Sequence, residues 1–530
     1  MTNSNNCAVC GVSATQKCGG CRNVVYCGKE HQKIHWKSGH KGECKCYELA
    51  SNDTLGRHLR ATRDIKKGEV ILREPPLIYG PKVACQPLCL GCHRMLATPS
   101  GSDTTQRNFY KCSKCQWPLC GPACEQSSHH VDECQLMAQK KFGAKIDFHP
   151  TAVRKESAYC VILPLRCILM KKQKPEQYKR LLELEDHLQE RIETPLYKIL
   201  RANLITFIKT ILGFSDFEET EILRIAATLD TNAFEVRQTT PQRRVRGLYP
   251  IAAMISHDCI SNARHTFDEN MQILFIAKVA IAKGEIIATS YTQPLKSTLI
   301  RRLHLSQAKC FDCSCQRCSD PTELDTFMGA ITCSKCKIGK IISTNPLDNA
   351  APWKCQLCPH EIPAKQIIWG NNAMQKEIDT LNKSSPKQFE EFIHRYRITL
   401  HERNTHVLQV KYALTQLYGN VDGFLMHEMN DAAVKRKVEL CQELLEIADI
   451  FDGGNSIFRG NLLLDLQEAL VVQAKREFLN GLLTREGTQE KLMESMTMLK
   501  EAIEIMKYEP DVQELCKERT EALLKELEMD

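Results

Sequence analysis

The chain has 530 residues, 43% of them hydrophobic and 25% charged, and a formal net charge of +7. A multi-domain globular protein fits these values, and a charge this mild, scattered along the chain, reads as an ordinary solvated surface. The longest apolar run, Tyr159 to Met170, contains Arg166 and is too short to cross a bilayer, and MTNSNNCAVC at the N-terminus lacks a charged-then-apolar signal pattern. Neither a membrane span nor secretion is therefore expected. Twenty-eight cysteines without such a signal point to metal binding in a reducing compartment, the cytoplasm, the nucleus or both.

Taken in chain order, the first cysteine cluster reads CAVC, CGGC and YCGKEHQKIHWKSGHKGEC. Eight nitrogen or sulfur donors are enough for two interleaved tetrahedral zinc sites. The assignment is Cys7, Cys10, Cys27 and His31 for one, and Cys18, Cys21, His40 and Cys44 for the other, with His35 left as a polar helix residue. Leu55 to Pro81 is strand-like, with a hairpin turn predicted at Lys66-Lys67-Gly68. A second cluster repeats the layout, pairing Cys89, Cys92, Cys120 and Cys124 in one site and Cys112, Cys115, His130 and Cys134 in the other. His130 is preferred to His129 because its spacing to Cys134 matches that of His40 to Cys44.

Residues 154–230 read as helical, and strand character returns in NMQILFIAKVAIAKGEIIATSY with a turn at Lys283-Gly284. The run CFDCSCQRC supplies Cys313, Cys315 and Cys318; a fourth ligand must come from elsewhere, and Cys259 in SHDCISN is the candidate. Cys333, Cys336, Cys355 and Cys358 read as a zinc ribbon with two CxxC knuckles. That makes about six zinc ions, all structural, because four protein ligands leave no open position for water. Cys46, Cys85, Cys160, Cys167, Cys310, Cys441 and Cys516 remain as thiols. From about residue 365 successive helices are expected, with Leu440, Leu444, Leu445 and Ala448 on one face and Leu462, Leu466, Leu470 and Ala474 on another. Breaks such as Asp452-Gly453-Gly454-Asn455 suggest paired helices resembling tetratricopeptide repeats.

Both cysteine clusters resemble MYND fingers, the first down to Tyr26 before Cys27 and Gln32 after His31. LGRHLRATRDIKKGEVIL resembles the first hairpin of a SET domain, GLYPIAAMISHDCISN its cofactor-binding motif, KGEIIATSY the strand ending in its catalytic tyrosine, and residues 310–318 its post-SET zinc site. Their order resembles the SET-and-MYND protein-lysine methyltransferases, and the extra finger and the ribbon look most like an arthropod branch of that family. The resemblance implies a multi-domain α+β protein: an N-terminal MYND finger (1–46), the first SET part (50–85), an inserted second finger (86–136), a helical insert (137–245), the SET core (246–300), a post-SET zinc site (301–320), a ribbon (321–364) and a helical C-terminal domain (365–530).

By the same resemblance Tyr291 is the catalytic residue, and Arg57, His58, Asn232, Ser256, His257, Tyr291 and Phe311 contact S-adenosylmethionine. His58 replaces a family glycine and Ser256 a family asparagine, while Glu185 and His187 match another family contact only loosely and read as a solvated helix face. The expected function is methyl transfer to a lysine of a histone or another protein, with proline-containing peptides docking on the fingers. The alternative is a catalytically weak or inactive SET scaffold, recruiting partners through its fingers as a transcriptional regulator. Direct nucleic-acid binding is not expected, since cross-braced fingers lack an exposed basic recognition helix.

Overall fold

The structure is a computed structural model that describes residues 6–18, 24–41, 44–83, 85–96, 110–144, 157–239 and 242–528. It divides into two compact units, one of residues 1–71, 255–265 and 275–530, the other of residues 72–254 and 266–274. No helix among the described residues is long and apolar enough to cross a membrane.

In the first unit the N-terminal finger pairs Gln16–Lys17 with Val25–Tyr26 and continues into the helix Lys29–His35. His35 is more than a polar helix residue. Its Nδ1 lies 3.0 Å from the Tyr26 hydroxyl and its ring stacks on His40 at 5.0 Å, so it braces a zinc ligand.

The strands Tyr47–Asn52 and Gly56–Ala61 then form an antiparallel hairpin. Its tip lies at 53–55, earlier than expected, because Asn52 Oδ1 accepts from the Thr54 and Leu55 amides at 3.0 and 2.7 Å. The other edge of Gly56–Ala61 is taken by residues 285–287: Ala61 N donates to Glu285 O and Ile287 N to Leu59 O, both at 2.9 Å. The Lys66–Gly68 turn consequently closes no hairpin with that strand. Gly68 N donates instead to Ala277 O, at 2.8 Å. The Lys283-Gly284 turn does form, with Gly284 at φ +87°.

Four antiparallel strands, Ile331–Thr332, Lys340–Ser343, Trp353–Cys355 and Glu361–Ile362, build the ribbon in sequence order. A Cβ on Gly339 would stand 2.4 Å from Cys355 Sγ, so the knuckle admits only glycine there. The chain ends in helices, among them Thr405–Leu417, Asp431–Phe451, Ile457–Leu479 and Arg485–Met506. Each starts on a capping side chain, Asn404, Asn430, Ser456 or Thr484. The predicted faces are the buried ones: Leu440, Leu444, Ala448, Leu462, Leu466 and Ala474 are all buried, and Leu445 and Leu470 pack beside them.

The break at 452–455 fastens this helical region to the strand region of the same unit. Asn455 N donates to Lys278 O at 2.9 Å, and the buried Lys278 ammonium pairs with Asp452. Gly454 has φ +71°, and a Cβ there would lie 2.2 Å from Lys278 O.

The second unit holds the second finger, helices such as Ile162–Gln173 and Glu219–Asn232, and a sheet ordered Ile78–Pro81, Gln242–Leu248, Phe234–Thr239. The stretch 154–230, read as helical, accordingly gives way to strand just after Asn232. The sequence Phe-Glu-Val-Arg from 234 alternates with a period of two, burying Val236 against Val245 of the neighbouring strand. Arg166 interrupts its apolar helix for a reason: it donates to Glu133 at 2.6 and 2.8 Å and to the carbonyls of Tyr79, Leu90 and His129.

Gly454→Ala is expected to cost about 1–3 kcal/mol from backbone conformation alone, with the clash adding to it. Chemical denaturation that finds the variant as stable as the parent would contradict this account.

Candidate functional site

Tetrahedral zinc–sulfur bonds of about 2.3 Å put sulfurs about 3.7 Å apart, and the cysteine pairs meet that requirement. Sγ–Sγ separations are 3.7 Å for Cys10–Cys27, 3.7 Å for Cys18–Cys44, 3.4 Å for Cys92–Cys120, 3.5 Å for Cys112–Cys134, 3.6 Å for Cys259–Cys318, 3.6 Å for Cys333–Cys358 and 3.7 Å for Cys336–Cys355. Five complete sets come together as expected: Cys7, Cys10, Cys27, His31; Cys89, Cys92, Cys120, Cys124; Cys112, Cys115, His130, Cys134; Cys259, Cys313, Cys315, Cys318; and Cys333, Cys336, Cys355, Cys358. In the remaining set His40 Nε2 lies 3.2 Å from Cys18 Sγ beside Cys44, while Cys21 lies outside the described residues. Soft sulfur and imidazole donors with no carboxylate suit zinc.

The choice of His130 holds. Its Nε2 is 3.6 Å from Cys115 Sγ, whereas His129 Nε2 sits 2.8 Å from the Tyr79 hydroxyl.

In the first unit the Cys259 set carries a second cluster on its surface. The short strands Ser256–His257 and Ala288–Thr289 pair in parallel, and Asp258 N donates to Thr289 O at 3.2 Å. This register brings the chain past 289 over His257. Tyr291 N donates to His257 Nδ1 at 3.0 Å, which leaves the ring proton on Nε2, 3.3 Å from Cys259 Sγ. Burial lowers the His257 pKa to about 4, so the imidazole is neutral. The Tyr291 and His257 rings lie 5.2 Å apart, and Phe311 stands 5.8 Å from His257 and 6.4 Å from Tyr291. Tyr291 donates its hydroxyl proton to Ile255 O at 2.5 Å, and burial pushes its pKa up to about 12. Ser256 Oγ is buried without a hydrogen-bond partner.

The other predicted contacts divide. Arg57 and His58 lie on the strand Gly56–Ala61, beside residues 285–287 and so close in the chain to Tyr291. His58 is turned inward at 4% exposure, with Nδ1 3.0 Å from Gly56 O. Asn232 belongs to the second unit, where Nδ2 donates to Glu185 O at 2.7 Å and Thr228 O at 2.8 Å. Glu185 and His187 occupy the link between the helices Pro175–Leu182 and Leu188–Arg191, not a helix face, and His187 takes the left-handed conformation.

Sequence reasoning missed what stands behind the cysteines. Buried Arg301 donates from Nε to Cys259 Sγ at 3.2 Å and from a terminal nitrogen to Cys318 Sγ at 3.4 Å. Glu323 accepts from Arg301 at 2.8 Å and from Arg317 at 3.2 Å, and Arg317 covers the Phe451 ring at 3.5 Å. Four thiolates around a divalent ion carry two net negative charges, and Arg301 offsets part of that excess in a dry setting. No spacing marks such arginines in advance. Asn262 was also passed over, although it closes the SHDCISN motif: its Oδ1 accepts from Ala288 N at 2.9 Å and its Nδ2 donates to Ile286 O at 2.8 Å, fixing the strand that leads to Tyr291.

A MYND-finger family model matches residues 7–44, and a SET-domain model matches residues 56–292, ending one residue beyond Tyr291. The chain therefore carries a MYND finger and a SET domain. Among curated relatives, SET domain-containing protein SmydA-8 of Drosophila melanogaster is 28% identical over 66% of this chain and 72% of that protein. Histone-lysine N-methyltransferase ASHR1 of Arabidopsis thaliana is 27% identical over 52% of this chain and 55% of its own length. Human histone-lysine N-methyltransferase SMYD3 is 24% identical over 50% and 59% respectively.

Replacing Cys315 by Ser is expected to remove one zinc ion from about six in native mass spectrometry, leaving the fingers and ribbon loaded. Arg301→Met, which leaves thiolates and Glu323 short of a buried partner, should cost about 3–5 kcal/mol in denaturant unfolding.

Proposed function

We propose that this chain is a protein-lysine N-methyltransferase that uses S-adenosylmethionine. The observation that carries the reading is the packing of Tyr291 on neutral His257 above the Cys259 set, inside the SET domain. Two features favour a working cofactor site despite the family departures. The inward turn of His58 keeps its side chain within the unit, and the buried, unpartnered Ser256 Oγ is a polar group in want of a ligand.

When bound, the cofactor supplies an electrophilic methyl group on a sulfonium. The chain's own residues then have to orient a neutral amine and keep water away. Tyr291 stays protonated at neutral pH and spends its proton on Ile255 O, so its oxygen lone pairs are available to accept from the amine N–H. It therefore positions the amine and is no base. His257 holds the Tyr291 backbone through Nδ1, and Phe311 contributes an apolar wall.

The greater coverage of SmydA-8 supports the arthropod branch. Exposed Val12, Ile34 and Trp36 on the first finger support docking of proline-containing peptides there. We also place the protein in a reducing compartment, cytoplasm or nucleus, because its ligands must stay thiolates.

Calorimetric titration of the zinc-loaded protein with S-adenosylmethionine should show binding that His257→Ala weakens. Tyr291→Phe should bind the cofactor nearly as well but lower methyl transfer by about 100-fold or more. No binding at millimolar cofactor by folded protein would refute the enzyme reading and leave the scaffold alternative.

A further inference from the structure

The four ribbon strands run antiparallel in sequence order, so the two zinc knuckles, residues 333–339 and 355–360, fall at one end of the sheet and residues 344–352 at the other. At the knuckle end two aliphatic side chains stand in solvent. Ile338, which follows left-handed Lys337 at φ +65°, is 77% exposed, and Leu357 is 65% exposed. They are neighbours, since a Cβ on Gly339 would lie 3.3 Å from Leu357 Cβ. The set Cys333, Cys336, Cys355 and Cys358 ties both loops to one ion, and Ser334 Oγ, 3.3 Å from His360 Nε2, links them outside it. Charge of a single sign surrounds the pair. Residues 333–340 and 354–360 carry four lysines and no acidic residue. Lys340 lies over the Phe327 ring at 3.6 Å, and Lys354 is in register with Glu361. Lys335 and Lys337 are exposed and have no ion pair among the described residues.

We propose that the knuckle end of the ribbon is a peripheral membrane-docking site, where Ile338 and Leu357 enter the headgroup region of a bilayer while Lys335 and Lys337 meet anionic lipid headgroups. Charge complementarity selects an anionic partner, and the protruding aliphatics select among anionic partners. Nucleic acid would pair with the lysines but leave Ile338 and Leu357 in water. A folded acidic protein has to offer a fitted cavity for each of them. A lipid interface takes protruding aliphatic side chains without one, and loops held by the ion enter it already ordered. Docking of this kind lies on the surface of the bilayer and needs no spanning helix, in keeping with the described residues. It uses none of the side chains placed around Tyr291, so it stands or falls apart from methyl transfer.

The test is co-sedimentation of the full-length, zinc-loaded chain with vesicles of phosphatidylcholine alone or with phosphatidylserine as about a third of the lipid. The chain should sediment with the phosphatidylserine vesicles, far less with phosphatidylcholine alone, and less as salt rises. Ile338→Ser together with Leu357→Ser should weaken vesicle binding about tenfold, and Lys335→Gln together with Lys337→Gln by about tenfold or more. Ile338→Leu with Leu357→Ile, which keeps the apolar surface, should bind like the parent. All four positions are exposed, and native mass spectrometry should count the same zinc ions in every variant. Two outcomes would overturn the proposal outright: no sedimentation of the fully loaded parent, or parent-like binding by the serine variant. Loss in the lysine variant alone would also overturn it and point to nucleic acid or an acidic protein, held by charge without insertion.

Discussion

Cys259 lies more than fifty residues before Cys313, Cys315 and Cys318, yet the four sulfurs converge within the reach of one divalent ion. Holding them there fixes the chain on both sides of the site. Upstream of Cys259 it sets Ser256 and His257 beside Ala288 and Thr289; at the other end it sets Phe311 and Lys309 against Tyr291. The imidazole of His257 joins the two layers, with Nδ1 on the Tyr291 backbone and Nε2 toward Cys259. Segments this short bury too little apolar surface to hold such an arrangement by packing, so coordination provides the organising energy.

Such a concentration of negative charge needs compensation in a water-poor setting. Arg301 reaches two of the sulfurs, Glu323 holds Arg301 and Arg317, and Arg317 lies on Phe451 of a C-terminal helix. Through these contacts the zinc set is continuous with the helical part of its own unit. The Lys278–Asp452 pair and the close approach at Gly454 make a second seam within that unit. Buried ion pairs of this sort add little net stability but strongly disfavour other registers, since displacing one partner strands the other.

The fold shows where sequence patterns mislead. A Lys-Lys-Gly turn looks like a hairpin signal, but the strand Gly56–Ala61 already has partners on both edges, residues 47–52 and 285–287, the second of which is remote in sequence. His35 looks solvated because its spacing excludes it from the metal sets, yet its ring stacks on His40. Each case turns on a neighbour outside the local window.

What the sequence by itself determined was the chemistry that depends on spacing and residue type. CxxC knuckles, the HxxxC repeats and the lone Cys259 declared their ligand sets, because a tetrahedral ion constrains which donors can be shared. The Leu440 and Leu462 stripes declared buried helix faces, because 3.6 residues per turn sets their period. Only the tertiary structure decided which proton His257 carries, that His58 turns inward, that Asn232 spends its amide on Glu185, and that Arg301 and Lys309 face sulfur and tyrosine. Those outcomes depend on burial and on orientation between segments distant in sequence, and neither quantity is periodic along a chain.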